Sequence, residues 1–255
     1  MKRDYSEHIG EENKNKHGTI MKIIEFNKTD DITIEFQDKY KITKNTTYNN
    51  FTRGVIKNPY DKTIYGVACI GYGRWKVCDK KGIASQPYSI WHSIVSRCYT
   101  EYKQKLRPTY IECSISEEWL NFQNFGDWFE NNWYQVDNEQ MELDKDILYK
   151  GNKVYSAETC VFVPKRMNLL IINRKNCRGK TPLGVQGDNN SFNVSTTDEN
   201  GTPNYLGTYS TKEKAFEVYK EFREGVFKKV ADSYKDKIPD RLYNALYNRK
   251  IEITD

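Results

Sequence analysis

Residues 143–168 read LDKDILYKGNKVYSAETCVFVPKRMN, and the fold of the middle of the chain turns on them. Asp144 and Asp146 bracket Lys145, a glycine turn follows at Gly151, a short apolar run comes next, and a basic segment closes on Asn168. The order is that of a strand, a turn, a second strand and a helix. Alternate residues of a strand face the same side, so a strand running through 146 places both acids on one face and turns Lys145 away. Two carboxylates so placed, with Asp144 and Asp146 (or Glu158) joined by Asn168, form an oxygen-donor set suited to Mg²⁺ or Mn²⁺. The competing reading has the acids solvated, or capping the turn before Gly151. Lys145 at its ordinary pKa of about 10.4 is protonated at neutral pH, which suits it to holding a phosphate better than to taking a proton from water.

Working outward, residues 165–180 (KRMNLLIINRKNCRGK) carry six Lys or Arg among sixteen and no acid. Acids are common elsewhere in the chain, so their absence here marks a segment that can track a phosphate backbone. Lys165, Arg166, Arg174, Lys175 and Arg178 are the candidate nucleic-acid contacts; the alternative is a solvated interdomain segment.

Upstream, residues 20–77 read as short β segments: IMKIIEF, DITIEF, YKIT and TIYGVACIGYGRW. Ile32, Ile34 and Phe36 alternate with Thr33 and Glu35, the period of a half-buried strand. A small β-barrel-like domain is expected over 1–80. The lone GYG at 71–73 is read as a turn, not a cofactor loop. In PYSIWHSIVSRCYTEY the apolar positions Ile90, Ile94, Val95 and Cys98 recur at three and four, marking a helix with a buried stripe. His92 on that helix stands alone and is read as partly exposed rather than as a metal ligand. Ser116 is the expected cap of the next helix, whose Trp119, Phe122, Phe125, Trp128 and Phe129 are read as core rather than as base-stacking surfaces. Downstream, LGVQGDNNSFNVSTTDENGTPNYLG reads as three short strands, and residues from Lys212 onward as a helix capped by Ser210 or Thr211. The fold class is α+β: a β-barrel-like domain (1–80), a ββα module with flanking helices and a basic linker (81–180), and a three-stranded sheet plus helix (181–255).

The 255 residues are 37% hydrophobic and 14% aromatic, enough large apolar side chains for a packed core despite a mean hydropathy of −0.85. No stretch approaches the roughly 20 apolar residues of a membrane span, and the polar start lacks the apolar region of a signal peptide. A cytoplasmic protein with no membrane partner is therefore expected. Six cysteines without a CxxC pair signal neither a zinc knuckle nor a disulfide framework, and are read as buried reduced thiols. A net charge of +5 tolerates nucleic acid as a partner without requiring it.

The run SIWHSIVSRCY, then EEWLNFQNFGDW, LDKDI, KGNKVYSAETC and PKRMN, resembles phage-encoded HNH-type homing endonucleases across about residues 88–178. LGVQ through NYLGTYSTKEKAFEVYKEF resembles the ethylene-response-factor type of DNA-binding domain. The resemblance implies a phage protein acting on double-stranded DNA, working in the cytoplasm of its host bacterium. It also implies a ββα metal site in which a histidine after an acid serves as base. Asp144 stands at the acid's place and Lys145 at the histidine's; Thr159 stands at the middle asparagine's, and Asn168 at the helix position. The candidate catalytic set is thus Asp144, Lys145, Asp146 and Asn168, with Asp144, Asp146 and Asn168 as metal ligands. Three functions are consistent with this: a DNA-binding protein derived from the nuclease, a metal-dependent endonuclease or nickase, and a phage factor that binds a host or phage protein to block a defence system.

Overall fold

The computed structural model describes residues 6–171 and 181–255. The chain is a mixed α+β protein with seven α-helices among the described residues, and it divides into two compact units, Met1–Glu130 and Asn131–Asp255. Among the described residues none of the sheets closes into a barrel.

The first unit opens with strands β1 (Glu12–Lys14), β2 (Ile20–Lys28), β3 (Asp31–Phe36) and β4 (Thr43–Thr46), all antiparallel in the order β1-β2-β3-β4. The expected barrel is thus an open sheet. A barrel needs strands enough to curl around a filled interior, whereas here helix α1 (Tyr48–Thr52) carries Phe51 into the core built on Met21, Ile23, Ile32, Ile34 and Phe36. The alternation read in DITIEF holds, with Ile32, Ile34 and Phe36 fully buried. The fourth expected strand, TIYGVACIGYGRW, does not form. Tyr65 (φ 51°) and Gly66 (φ 74°) reverse the chain between Ile64 and Ala68, and Gly71 (φ 72°) turns it again. Of this segment only Ala68 and Gly71 are buried, and left-handed turns prevent a strand.

Helix α2 (Gln86–Tyr99) begins with Pro87 in its first turn and buries Trp91, Ile94, Val95 and Cys98. Helix α3 (Glu101–Leu106) follows, then strand β5 (Ser114–Ile115) and helix α4 (Phe122–Asn132). Ser116 does not cap α4. Residues 117–120 form a 3₁₀ turn, a bridge between Cys69 and Asn121 interrupts the helical path, and Asn121 Oδ1 accepts from Gln123 N instead. The Ser116 hydroxyl is left buried without a partner among the described residues. Trp119, Phe122, Phe125 and Phe129 are buried, and Trp91 Nε1 donates to the Trp119 carbonyl, so the aromatics of this region are core.

The second unit contains β6 (Met141–Asp144), β7 (Val154–Tyr155), β8 (Val161–Pro164) and α5 (Lys165–Ile171). Then come β9 (Val185–Asp188), β10 (Ser191–Thr197), β11 (Pro203–Tyr209), α6 (Lys212–Ser233) and α7 (Asp240–Tyr247). Strands β6 and β8 pair antiparallel with Asp144 opposite Val161 and Met141 opposite Pro164. β9, β10 and β11 form an antiparallel sheet with β10 central. Thr211 caps α6 by accepting from Lys214 N. One hydrophobic cluster runs from Val161, Val163 and Met167 through Val185 and Val194 to Phe216, Val226 and Leu242. Residues of the strand-loop-strand-helix segment and of the three-stranded sheet therefore share a core.

Arg223 on α6 is buried. Its guanidinium donates to the carbonyls of Leu170, at the end of α5, and Thr197, at the end of β10. Burial pushes its pKa down, yet it stays a cation, tying three elements through their orphan carbonyls. Five described cysteines are free thiols: Cys98, Cys113 and Cys160 are buried, Cys69 is half-buried and Cys78 is exposed, while Cys177 lies outside the described residues. No described helix is long and apolar enough to cross a membrane.

Candidate functional site

Strand β6 stops at Asp144, and what stops it is the Asp144 side chain. Its Oδ1 accepts from the backbone N–H of Asp146 (2.9 Å) and of Ile147 (2.6 Å), an Asx turn that bends the chain out of the sheet. The strand expected to run through 146 therefore ends two residues early, and the alternation argument fails with it. Lys145 does not turn away from Asp146: its Nζ lies 3.2 Å from Asp146 Oδ2 and 3.1 Å from the Asn152 carbonyl, with its side chain only 11% exposed. The Tyr155 ring lies 5.8 Å from the same ammonium.

The loop between β6 and β7 is pinned by Asn152, a residue that no sequence motif singles out. Its Nδ2 donates to the carbonyls of Lys145 and Val154, both at 2.7 Å, and its Oδ1 accepts from Val154 N. Asn152 follows Gly151, whose φ of 81° makes the turn that delivers it. That Gly-Asn pair inside KGNK was the signal available. Thr159, at the place of the family's middle asparagine, donates its hydroxyl to the Val154 carbonyl at 2.7 Å and so only ties the loop back on itself. Glu158 is exposed and its carboxyl is held below the usual range by the Ser156 hydroxyl.

Burial and the neighbouring Asp146 carboxylate push the Asp144 acid up to about 6, because a second negative charge beside it is costly where water is scarce. The compensating cation comes from far along the chain. Arg249, just beyond α7, donates weakly to the Ile147 carbonyl (3.5 Å), and the charges of Asp146, Asp144 and Asp255 favour its protonated form against its burial. Lys150 pairs with Asp255 at 2.6 Å. The loop thus alternates acids and bases: Asp144, Asp146 and Asp255 against Lys145, Lys150 and Arg249.

Asn168 stands apart from this group. Its Nδ2 donates to Glu142 Oε2 at 2.8 Å, joining α5 to β6 two residues before Asp144. Asp144 and Asp146 are brought together; the contact that the structure gives Asn168 is with Glu142, not with either of them. Among the described residues no three His, Cys, Asp or Glu side chains are placed to hold a metal ion. The donor set expected for Mg²⁺ or Mn²⁺ is therefore not assembled as one, since a lysine occupies Asp146 and two backbone amides occupy Asp144 Oδ1.

Of the candidate DNA contacts, Lys165 and Arg166 open α5 on the exposed surface. Lys165 Nζ donates to Gln140 Oε1 and Arg166 to the Glu199 carbonyl. Arg174, Lys175 and Arg178 lie outside the described residues. The exposed face of the β9–β11 sheet carries Asn193, Tyr205 and Thr208 joined by hydrogen bonds, and its strands hold no Lys or Arg.

Compared with protein-family models, with curated proteins and with solved structures, the chain matches none.

Proposed function

We propose that the protein binds double-stranded DNA, on a ββα frame of HNH-endonuclease type in which Lys145 replaces the catalytic base. The observation that carries this reading is the order β6, loop, β8, α5, with Asp144 ending the first strand and Lys165 and Arg166 opening a helix that leads into the acid-free basic run. Those cations neutralise backbone phosphates, and the three-stranded sheet, of ethylene-response-factor type in this reading, serves as scaffold since its outer face offers no cation for base edges. Lys145 is buried in an ion pair and bonded to a carbonyl, so it neither removes a proton from water nor reaches a phosphate. The three histidines, His8, His17 and His92, all lie in the first unit. The reading is therefore binding without hydrolysis by the family's usual mechanism.

Two assays test it together. A labelled duplex followed by fluorescence anisotropy should bind the parent protein and weaken steeply between about 50 and about 200 mM salt, as counterion release requires. Supercoiled plasmid incubated with Mg²⁺ or Mn²⁺ should stay intact. Nicking that Asp146→Ala abolishes would replace this reading by the nuclease one, and absence of duplex binding with stable capture of a host or phage protein would replace it by the protein-interaction one.

A further inference from the structure

The first unit contains a cleft of about 530 Å³ between α2, α3 and the turn that follows. One wall is a single face of α2. Ser89, His92, Ser93, Ser96 and Arg97 recur at spacings of three and four, opposite the buried stripe of Trp91, Ile94, Val95 and Cys98. A helix face that only meets water is normally filled with long charged side chains. This one carries three small hydroxyls beside a histidine and an arginine, which leaves a concave wall; Ser89 Oγ donates to the Ser85 carbonyl and Ser96 Oγ pairs with Thr100 Oγ1, while Ser93 presents its hydroxyl to the cleft.

The facing wall supplies Lys103, Arg107 and Tyr110. Among the described residues no carboxylate lines the cleft. Lys103 and Arg107 form no ion pair with another described residue, whereas Arg74 meets Asp127 and Glu130 and Lys105 meets Glu101. Positive charge here is concentrated in a concavity, where low-dielectric walls strengthen its field.

Two further features fix the kind of anion. Tyr65, in the left-handed region at φ 51°, holds its hydroxyl 3.1 Å from His92 Nε2 and keeps its side chain 41% exposed at the cleft. A non-glycine residue in that region costs free energy that the surrounding contacts, the Tyr65–His92 hydrogen bond among them, offset. Leu106 is 61% exposed in the same lining. A cleft of this volume, cationic on its walls, with a tyrosine ring and a leucine exposed in the lining, exceeds the needs of a bare phosphate and matches a ligand with a planar apolar part.

We propose that this cleft binds the phosphate ester of a nucleotide, with Lys103 and Arg107 on the phosphate, the Ser93 hydroxyl donating to its oxygens, and Tyr65 against the base. The site is independent of the DNA contacts proposed for the second unit.

The test is calorimetric titration of the full chain with AMP, adenosine and inorganic phosphate at low salt. AMP should bind saturably at one site. Adenosine, and separately the variant carrying Lys103→Ala and Arg107→Ala, should each bind about tenfold weaker or worse, since charge-assisted hydrogen bonds are lost in both. Both substitutions fall on exposed side chains, so an unchanged melting temperature accompanies the loss. AMP binding no tighter than adenosine or no tighter than inorganic phosphate overturns the proposal, as does an unaffected double variant. A short single-stranded oligonucleotide added in competition identifies the source of the ester: displacement of AMP assigns it to a nucleic-acid strand, and AMP holding its place assigns it to a free nucleotide, the binding chemistry being the same.

Discussion

Two regions of this protein concentrate charge and use it in opposite ways. In the loop after β6, three acids and three bases neutralise one another and are held by backbone hydrogen bonds, so charge is consumed in fixing the chain. In the cleft between α2 and α3, Lys103 and Arg107 meet no described carboxylate and the wall opposite is built of small hydroxyls. As sequence, LDKDILYKGNK reads as a candidate site, whereas SIWHSIVSRCY reads as a helix with a buried stripe. The difference is which charges find partners within their own fold.

Substitutions separate the two directly. Breaking the loop should have the largest destabilising effect. Lys145→Met leaves the Asn152 carbonyl and Asp146 without their cation; because Asp146 is 44% exposed, the loss in denaturant unfolding should be about 2 kcal/mol rather than the larger figure for a fully buried pair. Asn152→Ala, which removes two donors to backbone carbonyls, should cost a further comparable amount, roughly 1–2 kcal/mol by the same measurement.

Asp144→Asn sharpens the comparison through pH. The folded-state acid titrates near 6 against an ordinary 3.8, so the folded chain holds this proton more tightly than the unfolded one. Its contribution is full below about 4 and is lost as pH rises through about 6, a decline of roughly 3 kcal/mol. The asparagine keeps the Oδ1 acceptor and cannot ionise. Unfolding curves across that window should fall for the parent and stay flat for Asp144→Asn, making the variant the more stable protein at neutral pH. A parent that gains stability over the same window would mean that Arg249 outweighs burial.

The smallest stability effect belongs to the cleft. Lys103→Ala with Arg107→Ala should shift unfolding by no more than about 0.5 kcal/mol, since exposed cations away from packing contribute little. A loss as large as that of Lys145→Met would show that the cleft too is a structural device.

Periodicity made much of the architecture legible in the sequence. DITIEF, the stripe of α2 and the long face of α6 all formed as their spacing required. What failed did so for local reasons. TIYGVACIGYGRW has the apolar content of a strand, but Tyr65, Gly66 and Gly71 take left-handed conformations that composition does not reveal. Ser116 has the chemistry of a helix cap, yet the Cys69–Asn121 bridge delays the helix past its reach. Four short strands suggested a barrel, whereas α1 covers the sheet and leaves it open.

The loop site was legible in part. Asp144 and Asp146 do lie together, but the alternation argument assumed a strand that Asp144 itself terminates, and Asn168 turned to Glu142. Arg249 was out of reach of any local pattern, because it arrives from about a hundred positions away through the packing of α7.

In the function we propose, the basic run after β8 binds duplex DNA through its phosphates. The most direct measurement is the salt dependence of duplex binding for the parent and for a variant with Lys165, Arg166, Arg174, Lys175 and Arg178 all changed to alanine. If these five contact phosphates, the slope of log affinity against log salt should become shallower by roughly 4 in the variant. A parent slope near zero, or an unchanged slope in the variant, would contradict it.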